Sequence, residues 1–406
     1  MISPTKINHD TIVGANSRLV RNINRAIILN CIRESQPISR AEIARLSRLN
    51  KSTVSSIVRG LLDEDLLAEN VERNAAVGRN PISLRLKKGR NFFGAVSFDA
   101  AATRVAIIDV DGTIHATEKI RTEGGPAERF ISLIFDRLAG LRGAQRLPRL
   151  KGIGVSVAGI VDPARGKVLF APNLGWENVS VGDLLASAFP DAGVTAIEND
   201  AKSAALAELW FGRHRGALSN FVFLSVGRGI GAGIVIDRRI LPGDSYHAGE
   251  FGHMILIEGG EHCSCGNDGC WEAYASDGAT VRRYAAAQML DAAAARAVTI
   301  DDVLAAARHN DQDAIRALRT SGRFLGIGIA NVVKAVNPGV IIVGGHVTRV
   351  WDLIAPDVLG AARKASFFGE RAATAILPTS LTRRPSLLGA AALAMQKSFG
   401  EARVTF

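Results

Sequence analysis

The chain has 406 residues, of which 47% are hydrophobic; this excludes a disordered protein and predicts two or three globular domains. No apolar run is long enough to cross a bilayer, and the first ten residues lack the apolar segment of a secretory signal. We therefore expect a cytoplasmic protein without a membrane partner. The net charge is +10, and residues 1–90 carry +8 of it, with 16 Lys and Arg against 8 Asp and Glu. Such asymmetry is typical of a domain that binds a polyanion.

The first ninety residues predict three helices. The first helix has an apolar stripe in which Cys31 is expected to be an ordinary core residue: Leu19, Ile23, Ala26, Ile27 and Cys31. Ser39 and Glu42 form a capping box at the start of the second helix, whose predicted buried face is Ile43, Ala44 and Leu46. After a turn at 47–50, the third helix buries Val54, Ile57, Val58, Leu61 and Leu62.

The outer face of the third helix is small, polar and basic, and two partly alternating segments that follow it predict a β-wing. A short helix, a four-residue turn and such a second helix indicate a winged helix-turn-helix. Hydroxyl groups can reach phosphates or base edges, and cations can neutralise phosphates. The predicted DNA-binding residues are Arg40, Lys51, Ser52, Thr53, Ser55, Ser56, Arg59, Arg73 and Arg79. The alternative is a basic helical packing domain without a nucleic-acid role.

From residue 92 onward the pattern becomes α/β. Two blocks, starting near Phe92 and Phe221, each open with a β-hairpin and continue with strands and helices. Long alanine-rich helices are predicted over about 278–336, and a final helix over about 386–397. The two similar blocks predict a duplicated α/β lobe with a cleft between the lobes, which is a common place for a ligand site.

Three of the four cysteines, Cys263, Cys265 and Cys270, lie within eight residues, and His253 precedes them by ten. In a reducing compartment, clustered cysteines bind metal more often than they form disulfides. Three thiolates and an imidazole are a ligand set for a tetrahedral structural zinc ion, and the surrounding glycines allow the chain to fold around it. The alternative is three unrelated buried cysteines.

At this point several motifs resemble the ROK family (repressors, open reading frames, kinases), and in particular its sugar-responsive transcriptional regulators. These motifs are ENDAKSAALAE at 198–208, GRGIGAG at 227–233, AGEFGH at 248–253, CSCGNDGCWE at 263–272 and VNPGVIIVGG at 336–345. The resemblance implies an α/β, two-lobed actin-like (ribonuclease-H-like) ATPase fold behind the winged helix-turn-helix. The expected domains are 1–90 for DNA binding, 91–215 for the first lobe with the helix at 386–397, and 216–385 for the second lobe, with the zinc site and dimerisation helices.

The resemblance also implies a sugar pocket. By position, the sugar-contacting residues are Asn173, Asn199, Asp200, Glu250, His253 and Glu272, and Asp200 occupies the place of the kinases' catalytic base. Carboxylates and an amide supply the acceptors and donors that sugar hydroxyls need. His253 is expected to serve both the zinc ion and the sugar.

The two phosphate-binding turns of the family's kinases are altered here. The first reads Asp99-Ala100-Ala101-Ala102-Thr103 in place of Asp-x-Gly-Gly-Thr, and the second has Arg228 between two glycines in place of a small hydroxyl residue. Each added Cβ takes space next to the phosphates. We therefore expect no ATP binding and no catalytic residue, with Asp200 as a vestigial base. Arg228 facing an anion such as a sugar phosphate is a further hypothesis.

The sequence thus predicts a sugar-responsive DNA-binding regulator, in this family most often a repressor, that binds operator DNA as a homodimer or higher homo-oligomer. Its effector is a sugar or sugar derivative bound between the lobes. The alternatives are an active ATP-dependent sugar kinase with an accessory DNA-binding domain, and a regulator controlled by a sugar-transport protein.

Overall fold

The computed structural model describes residues 17–71, 82–123, 125–367, 374–381 and 384–400. The chain divides into two compact units: 1–91 with 395–406, and 92–394. Among the helices within these ranges, none has the length and apolarity needed to cross a membrane. The predicted DNA contacts Arg73 and Arg79 lie outside the described residues.

Within residues 17–71 and 82–91, the first unit contains three helices and a three-stranded antiparallel sheet in the order β1-β3-β2. Its elements are α1 (Ser17–Ser35), β1 (Ile38–Ser39), α2 (Arg40–Ser47), α3 (Lys51–Asp63), β2 (Leu67–Val71) and β3 (Ile82–Leu86). The predicted capping box is present, since the Ser39 hydroxyl accepts from the Glu42 amide and the Glu42 carboxylate accepts from the Ser39 amide. Asn50 caps α3 by accepting from the Thr53 amide at 2.7 Å.

Two predicted core faces in this unit are partly wrong. In α1 the fully buried residues are Ala26, Ile28, Leu29 and Ile32, whereas Cys31 is only half-buried. In α2, Leu46 is 48% exposed, while Ile43 and Ala44 are buried as predicted. Spacing along the sequence predicts that an apolar stripe exists, but the neighbouring helices decide which of its members they cover. The inner face of α3 is as predicted for Val54, Ile57, Val58 and Leu61.

The second unit contains two five-stranded sheets, ordered β11-β7-β4-β5-β6 and β14-β13-β12-β15-β16. The strands of the first sheet are β4 (Phe92–Phe98), β5 (Ala102–Asp109), β6 (Ile114–Arg121), β7 (Gly152–Val157) and β11 (Thr195–Asn199). Those of the second sheet are β12 (Phe221–Val226), β13 (Ile230–Ile236), β14 (Arg239–Ile240), β15 (Val340–Gly345) and β16 (Ala375–Pro378). A small antiparallel sheet holds β8 (Ile160–Asp162), β9 (Lys167–Ala171) and β10 (Trp176–Val179).

The two large sheets have the same topology. In each, an antiparallel meander of three strands is followed by two strands that pair in parallel beside its first strand. This repeated order agrees with the two similar blocks in the sequence. The predicted duplicated α/β architecture of the body is therefore present.

Helices cover these sheets. In sequence order they are α4 (Ala127–Ala144), α5 (Val181–Ala188), α6 (Asp200–Phe211), α7 (Trp271–Ala275), α8 (Asp277–Ala287), α9 (Ala292–Ala297), α10 (Ile300–Arg308), α11 (Gln312–Val336), α12 (Trp351–Ala365) and α13 (Pro385–Phe399). The first core packs α4 against β4, β5 and β7, and the second packs α11 and α12 beside β12, β13 and β15. The start of α13 returns to the first sheet, where the Ser386 and Ser97 hydroxyls lie 3.1 Å apart.

Candidate functional site

The predicted metal ligands converge. The ligand atoms of His253, Cys263, Cys265 and Cys270 all lie within 4.8 Å of one another. Cys263 Sγ lies 3.6 Å from His253 Nδ1, and Cys265 Sγ lies 3.6 Å from Cys270 Sγ. In a tetrahedral zinc site the ligand atoms are separated by about 3.5–3.8 Å, given metal–ligand bonds of about 2.0–2.3 Å. The four residues can therefore hold a tetrahedral metal ion.

The residue after the last cysteine anchors this loop in the core of the second lobe. Trp271 is fully buried, and its indole nitrogen donates to the Phe324 carbonyl at 2.9 Å. Burial, followed by hydrogen bonding to the neighbouring sulfurs, raises the pKa of Cys270 to about 12. A cation among the sulfurs would favour the thiolate forms instead, because metal ligation stabilises the deprotonated thiol.

The segment before the cysteines packs closely against β13 through two of its glycines. A Cβ atom on Gly252 would lie 2.2 Å from the Ile230 carbonyl oxygen, and one on Gly249 would lie 2.2 Å from the Ala232 carbonyl oxygen. Only glycine tolerates such contacts, and Gly249 also has a φ of +101°. The segment that carries Glu250 and His253 therefore lies directly on this strand.

Glu272 meets the same strand. Its Oε2 atom accepts from the Ile230 amide at 2.9 Å, and its Oε1 atom lies 3.4 Å from the Ser264 hydroxyl and 3.9 Å from Cys263 Sγ. The carboxylate thus connects the metal loop with the glycine-rich turn between β12 and β13. It is held by a backbone donor at the start of β13, so the position of Glu272 is fixed before any ligand binds.

Asp200 is the first residue of α6, where Asn199 caps the helix. The Asn199 side-chain oxygen accepts from the Ala201 and Lys202 amides at 2.9 and 3.1 Å, and its amide nitrogen donates to the Gly159 carbonyl at 3.0 Å. Asn199 therefore orients Asp200, and most of its hydrogen-bonding capacity is already in use. The direct sugar contact that the motif predicts for Asn199 stays a prediction.

Burial, followed by the negative charges of Asp99 and Glu250, raises the pKa of Asp200 to about 7. Glu250 is exposed, and its charge contributes to the raised pKa of Asp200, so the two carboxylates lie within electrostatic range of each other. Asn173 is exposed in a short turn after β9, and no hydrogen bond within the described ranges connects it to the other predicted sugar contacts. Asp200, Glu250, His253 and Glu272 are thus linked by charge or by shared anchors, whereas Asn173 stands apart.

Lys202 is a residue of this region that the sequence reasoning missed. It is 3% exposed, and its Nζ atom donates to the carbonyls of Tyr246 at 2.8 Å and Pro242 at 3.1 Å. Burial lowers the pKa of Lys202, against the charges of Glu198 and Glu250. Lys202 therefore ties α6, which carries Asp200, to the loop that leads to Glu250. A lysine within an alanine-rich helical segment was the available signal.

We expect the pH dependence of unfolding to report the raised pKa of Asp200. A carboxyl group with a raised pKa binds its proton more tightly in the folded state, so its contribution to stability falls as pH rises from about 4 to about 7. Asp200→Asn removes this loss, so its stability relative to the wild type should rise by about 1–3 kcal/mol between pH 5 and pH 8. Thermal unfolding at fixed ionic strength between pH 5 and 8 measures the difference. Replacement of the exposed Asp136 on α4 with asparagine is the matched control. An equal pH dependence of stability in both variants would contradict the raised pKa of Asp200.

Lys202→Met keeps the aliphatic stem but removes both hydrogen bonds to the loop. The two loop carbonyls and the buried Glu198 then lose their cation, which should cost about 2–4 kcal/mol of unfolding free energy. Urea unfolding measures this cost, and limited proteolysis should show faster cleavage within 241–248. The exposed Lys151→Met is the control. Equal stability of the two variants would show that the Lys202 contacts contribute nothing.

The predicted DNA-binding residues of α3 lie on one outer face. Lys51, Ser52, Ser55, Ser56 and Arg59 are exposed, and Thr53 is half-buried at the edge of that face. The Ser52 hydroxyl donates to the Asn50 side chain at 2.8 Å, so it also belongs to the helix cap.

Two arginines near this face differ from the expectation. Arg40 forms an ion pair with Glu69 of β2 at 2.6 Å, so its charge is partly neutralised. Arg48, which the sequence reasoning did not select, is exposed in the turn before α3 with a φ of +56°. Its position between the two helices was the available signal, because this turn carries side chains toward the same side as the start of α3.

Comparisons with known proteins agree with both units. The ROK family pattern matches residues 94–397, and the MarR family pattern matches residues 22–69. A xylose repressor of Caldicellulosiruptor bescii is 30% identical over 396 residues, covering 93% of this chain and 96% of the repressor.

Two solved structures are also similar. A ROK family transcriptional regulator, a homolog of the E. coli MLC protein, has a TM-score of 0.80 at 26% identity and covers 94% of this chain and 96% of its own. A ROK family glucokinase from Streptomyces griseus, in complex with glucose and AMPPNP, has a TM-score of 0.68 at 30% identity; the match covers 75% of this chain and all of the kinase. With its family match spanning most of the sequence, the chain belongs to the ROK family.

Proposed function

We propose that this protein is a sugar-responsive transcriptional repressor that binds operator DNA through α3 and a sugar-type effector in the second unit. The observation that carries the proposal is the exposed polar and basic face of α3 in a chain that matches a xylose repressor over nearly its whole length. A homodimer would present two such helices to half-sites about 34–36 Å apart. The predicted contacts Arg73 and Arg79 remain part of this proposal.

In this proposal the four metal ligands hold a structural zinc ion. Zinc would occupy the cluster of His253 and the three cysteines without an open position for chemistry. Its role would be to fix the loop that carries His253 and Glu272, which the family motifs assign to the sugar pocket together with Asp200 and Glu250. The sugar can release DNA only if it binds one of two protein conformations more tightly than the other. Equal affinity for both would leave the equilibrium between the two conformations unchanged.

We further propose that the bound sugar is not phosphorylated. The Asp99–Ala102 turn has side chains where the family's kinases have glycine, and the Asp99 carboxylate already accepts from the Ala101 amide at 2.9 Å. In the second turn Arg228 is exposed, and the Ile230 amide is bound to Glu272. Backbone amides used in this way are less free to bind phosphate oxygens. These observations favour a ligand sensor over an enzyme.

The experiment begins with selection of DNA sequences bound by the purified full-length protein. Release of the selected DNA is then measured with D-xylose and a panel of hexoses, amino sugars and their phosphates. We expect one sugar class to lower DNA affinity and to raise the melting temperature, because a ligand that binds the native state stabilises it. If no selected DNA sequence is bound, or if none of the sugars changes binding, the proposal is wrong.

The kinase alternative rests on the similarity to the glucokinase and on the presence of Asp200. Incubation with ATP, Mg²⁺ and the same sugars tests it, with ADP formation as the readout. Sustained sugar-dependent ADP formation that stops in Asp200→Asn would favour the kinase. A third candidate, control by a sugar-transport protein, is tested by pull-down with and without sugar.

A further inference from the structure

One face of the first large sheet carries a group of cations near its edge. The register places Ser97 of β4 opposite Arg104 of β5, and Arg104 opposite Lys119 of β6. Arg121 follows two residues later on the same face of β6. The other face of β5 is apolar, since Val105 packs with α4 in the core of the first lobe. The cations therefore belong to the face opposite α4.

The start of α13 lies over the same row. The Ser386 hydroxyl is 3.1 Å from that of Ser97, and Arg384 Nη1 donates to the Thr117 hydroxyl of β6 at 3.0 Å. At the first turn of a helix, the amides of Ser386 and Leu387 have no intrahelical acceptor, and the helix dipole is positive there. Side-chain cations, a hydroxyl pair and helix amides thus point to one region.

The charges in this region are only partly balanced by the protein. Among the described residues, Arg104, Lys119, Arg121 and Arg384 form no ion pair, and the buried Nε atom of Arg104 has no hydrogen-bond partner. Burial, and next the charge of Arg384, lowers the pKa of Arg104, whereas Asp99 acts in the opposite direction. A guanidinium remains charged, so a buried donor beside a like charge costs free energy that an anion could offset.

We propose that Arg104, Lys119, Arg384 and Ser386, with the first amides of α13, bind a phosphate group, either as free phosphate or as a phosphate monoester of a small molecule. Arginine forks and helix amides are complementary to a tetrahedral oxyanion. Neighbouring strands are only about 5 Å apart, so the cations on them lie close together. This spacing suits one compact anion better than an extended polyanion. This site goes beyond the proposed sugar response, and it lies on side chains outside the two altered turns.

The test is calorimetric titration of the full-length protein at constant ionic strength in chloride. Inorganic phosphate, glycerol 3-phosphate and glycerol are the probes, and Arg104→Gln and Arg384→Gln are the variants. We expect phosphate to bind and glycerol not to bind, with affinity about tenfold lower in either variant. Binding of glycerol 3-phosphate as well assigns the site to monoesters, whereas binding of inorganic phosphate alone assigns it to the free ion.

Arg137→Gln on α4 is the matched control, because it makes the same charge change at a side chain that pairs with Glu118 of β6 at 3.8 Å. Thermal unfolding of all variants checks that they fold; Arg384 is partly exposed, so its variant remains informative if Arg104→Gln unfolds. The proposal is overturned if phosphate does not bind, or if Arg137→Gln loses as much affinity as the two site variants. It is also overturned if these variants weaken operator binding while phosphate binding stays unchanged. Sugar-dependent release of DNA is a separate readout, so either proposal can fail alone.

Discussion

Replacing Cys270 with serine is expected to leave the purified protein without stoichiometric zinc and without a sugar response. Cys270 is fully buried, its sulfur lies 3.6 Å from Cys265 Sγ, and a hydroxyl is a poor substitute for a thiolate ligand. The whole set of four ligands supplies about 10–16 kcal/mol, so one ligand accounts for about 3 kcal/mol or more, a loss of over 100-fold in zinc affinity.

The sugar response should fall with the zinc content, because the metal loop carries Glu272 into contact with β13 through the Ile230 amide. Zinc per chain after dialysis and the sugar-induced change in melting temperature are the two measurements. Cys31→Ser is the control, since Cys31 is half-buried in α1 and away from the cluster in sequence. A Cys270→Ser protein with one zinc ion per chain would contradict the ligand assignment. Loss of zinc with a normal sugar response would contradict the coupling.

Replacing both Lys51 and Arg59 with alanine is expected to weaken operator binding by about 10–100-fold and to flatten its salt dependence. Both side chains are exposed on the outer face of α3. The opposite face of the helix is buried and contains Val54, Ile57 and Val58. Each cation that meets a phosphate releases about one counterion, so the slope of log K against log salt should fall by about 2.

Fluorescence anisotropy with the selected operator, at salt concentrations from about 50 to 200 mM, measures this slope. The control replaces Lys87 and Arg90 with alanine, which removes the same charge from the same unit. These two cations lie beside Asp65, with Arg90 Nε at 3.9 Å from its carboxylate, so their charge is already partly neutralised. If the control changes the slope as much as the α3 variant does, the DNA-binding face lies elsewhere.

Local patterns in the sequence were sufficient to predict several features of the structure. The capping box of Ser39 and Glu42 needs only residues three apart, and the inner stripe of α3 follows from helical periodicity. The metal ligands were also recognisable, because three cysteines within eight residues must lie close together once the glycines turn the chain. The two hairpins that begin the lobes are local for the same reason.

Contacts between distant residues could not be derived in this way. Periodicity in α1 predicts that Ile27 and Cys31 lie on its buried face, but the buried residues are Ile28 and Ile32. The neighbouring elements decide which side of the helix they cover. The motif around Asn199 predicts a sugar contact, but it does not predict the hydrogen bond from Asn199 to Gly159, forty residues earlier. Lys202 reaches carbonyls at 242 and 246 that no spacing rule connects with it.

By itself, the sequence determined which chemical groups this protein has: a basic winged helix, a cysteine cluster and a set of carboxylates. The tertiary structure decided which of these groups already form hydrogen bonds or ion pairs within the protein. Glu272 is bound to Ile230, Arg40 to Glu69 and Asn199 to its helix, whereas Arg104 keeps a buried nitrogen without a partner. The physical reason is that a hydrogen bond or ion pair depends on distance and burial, and these are set only when segments far apart in the chain pack together.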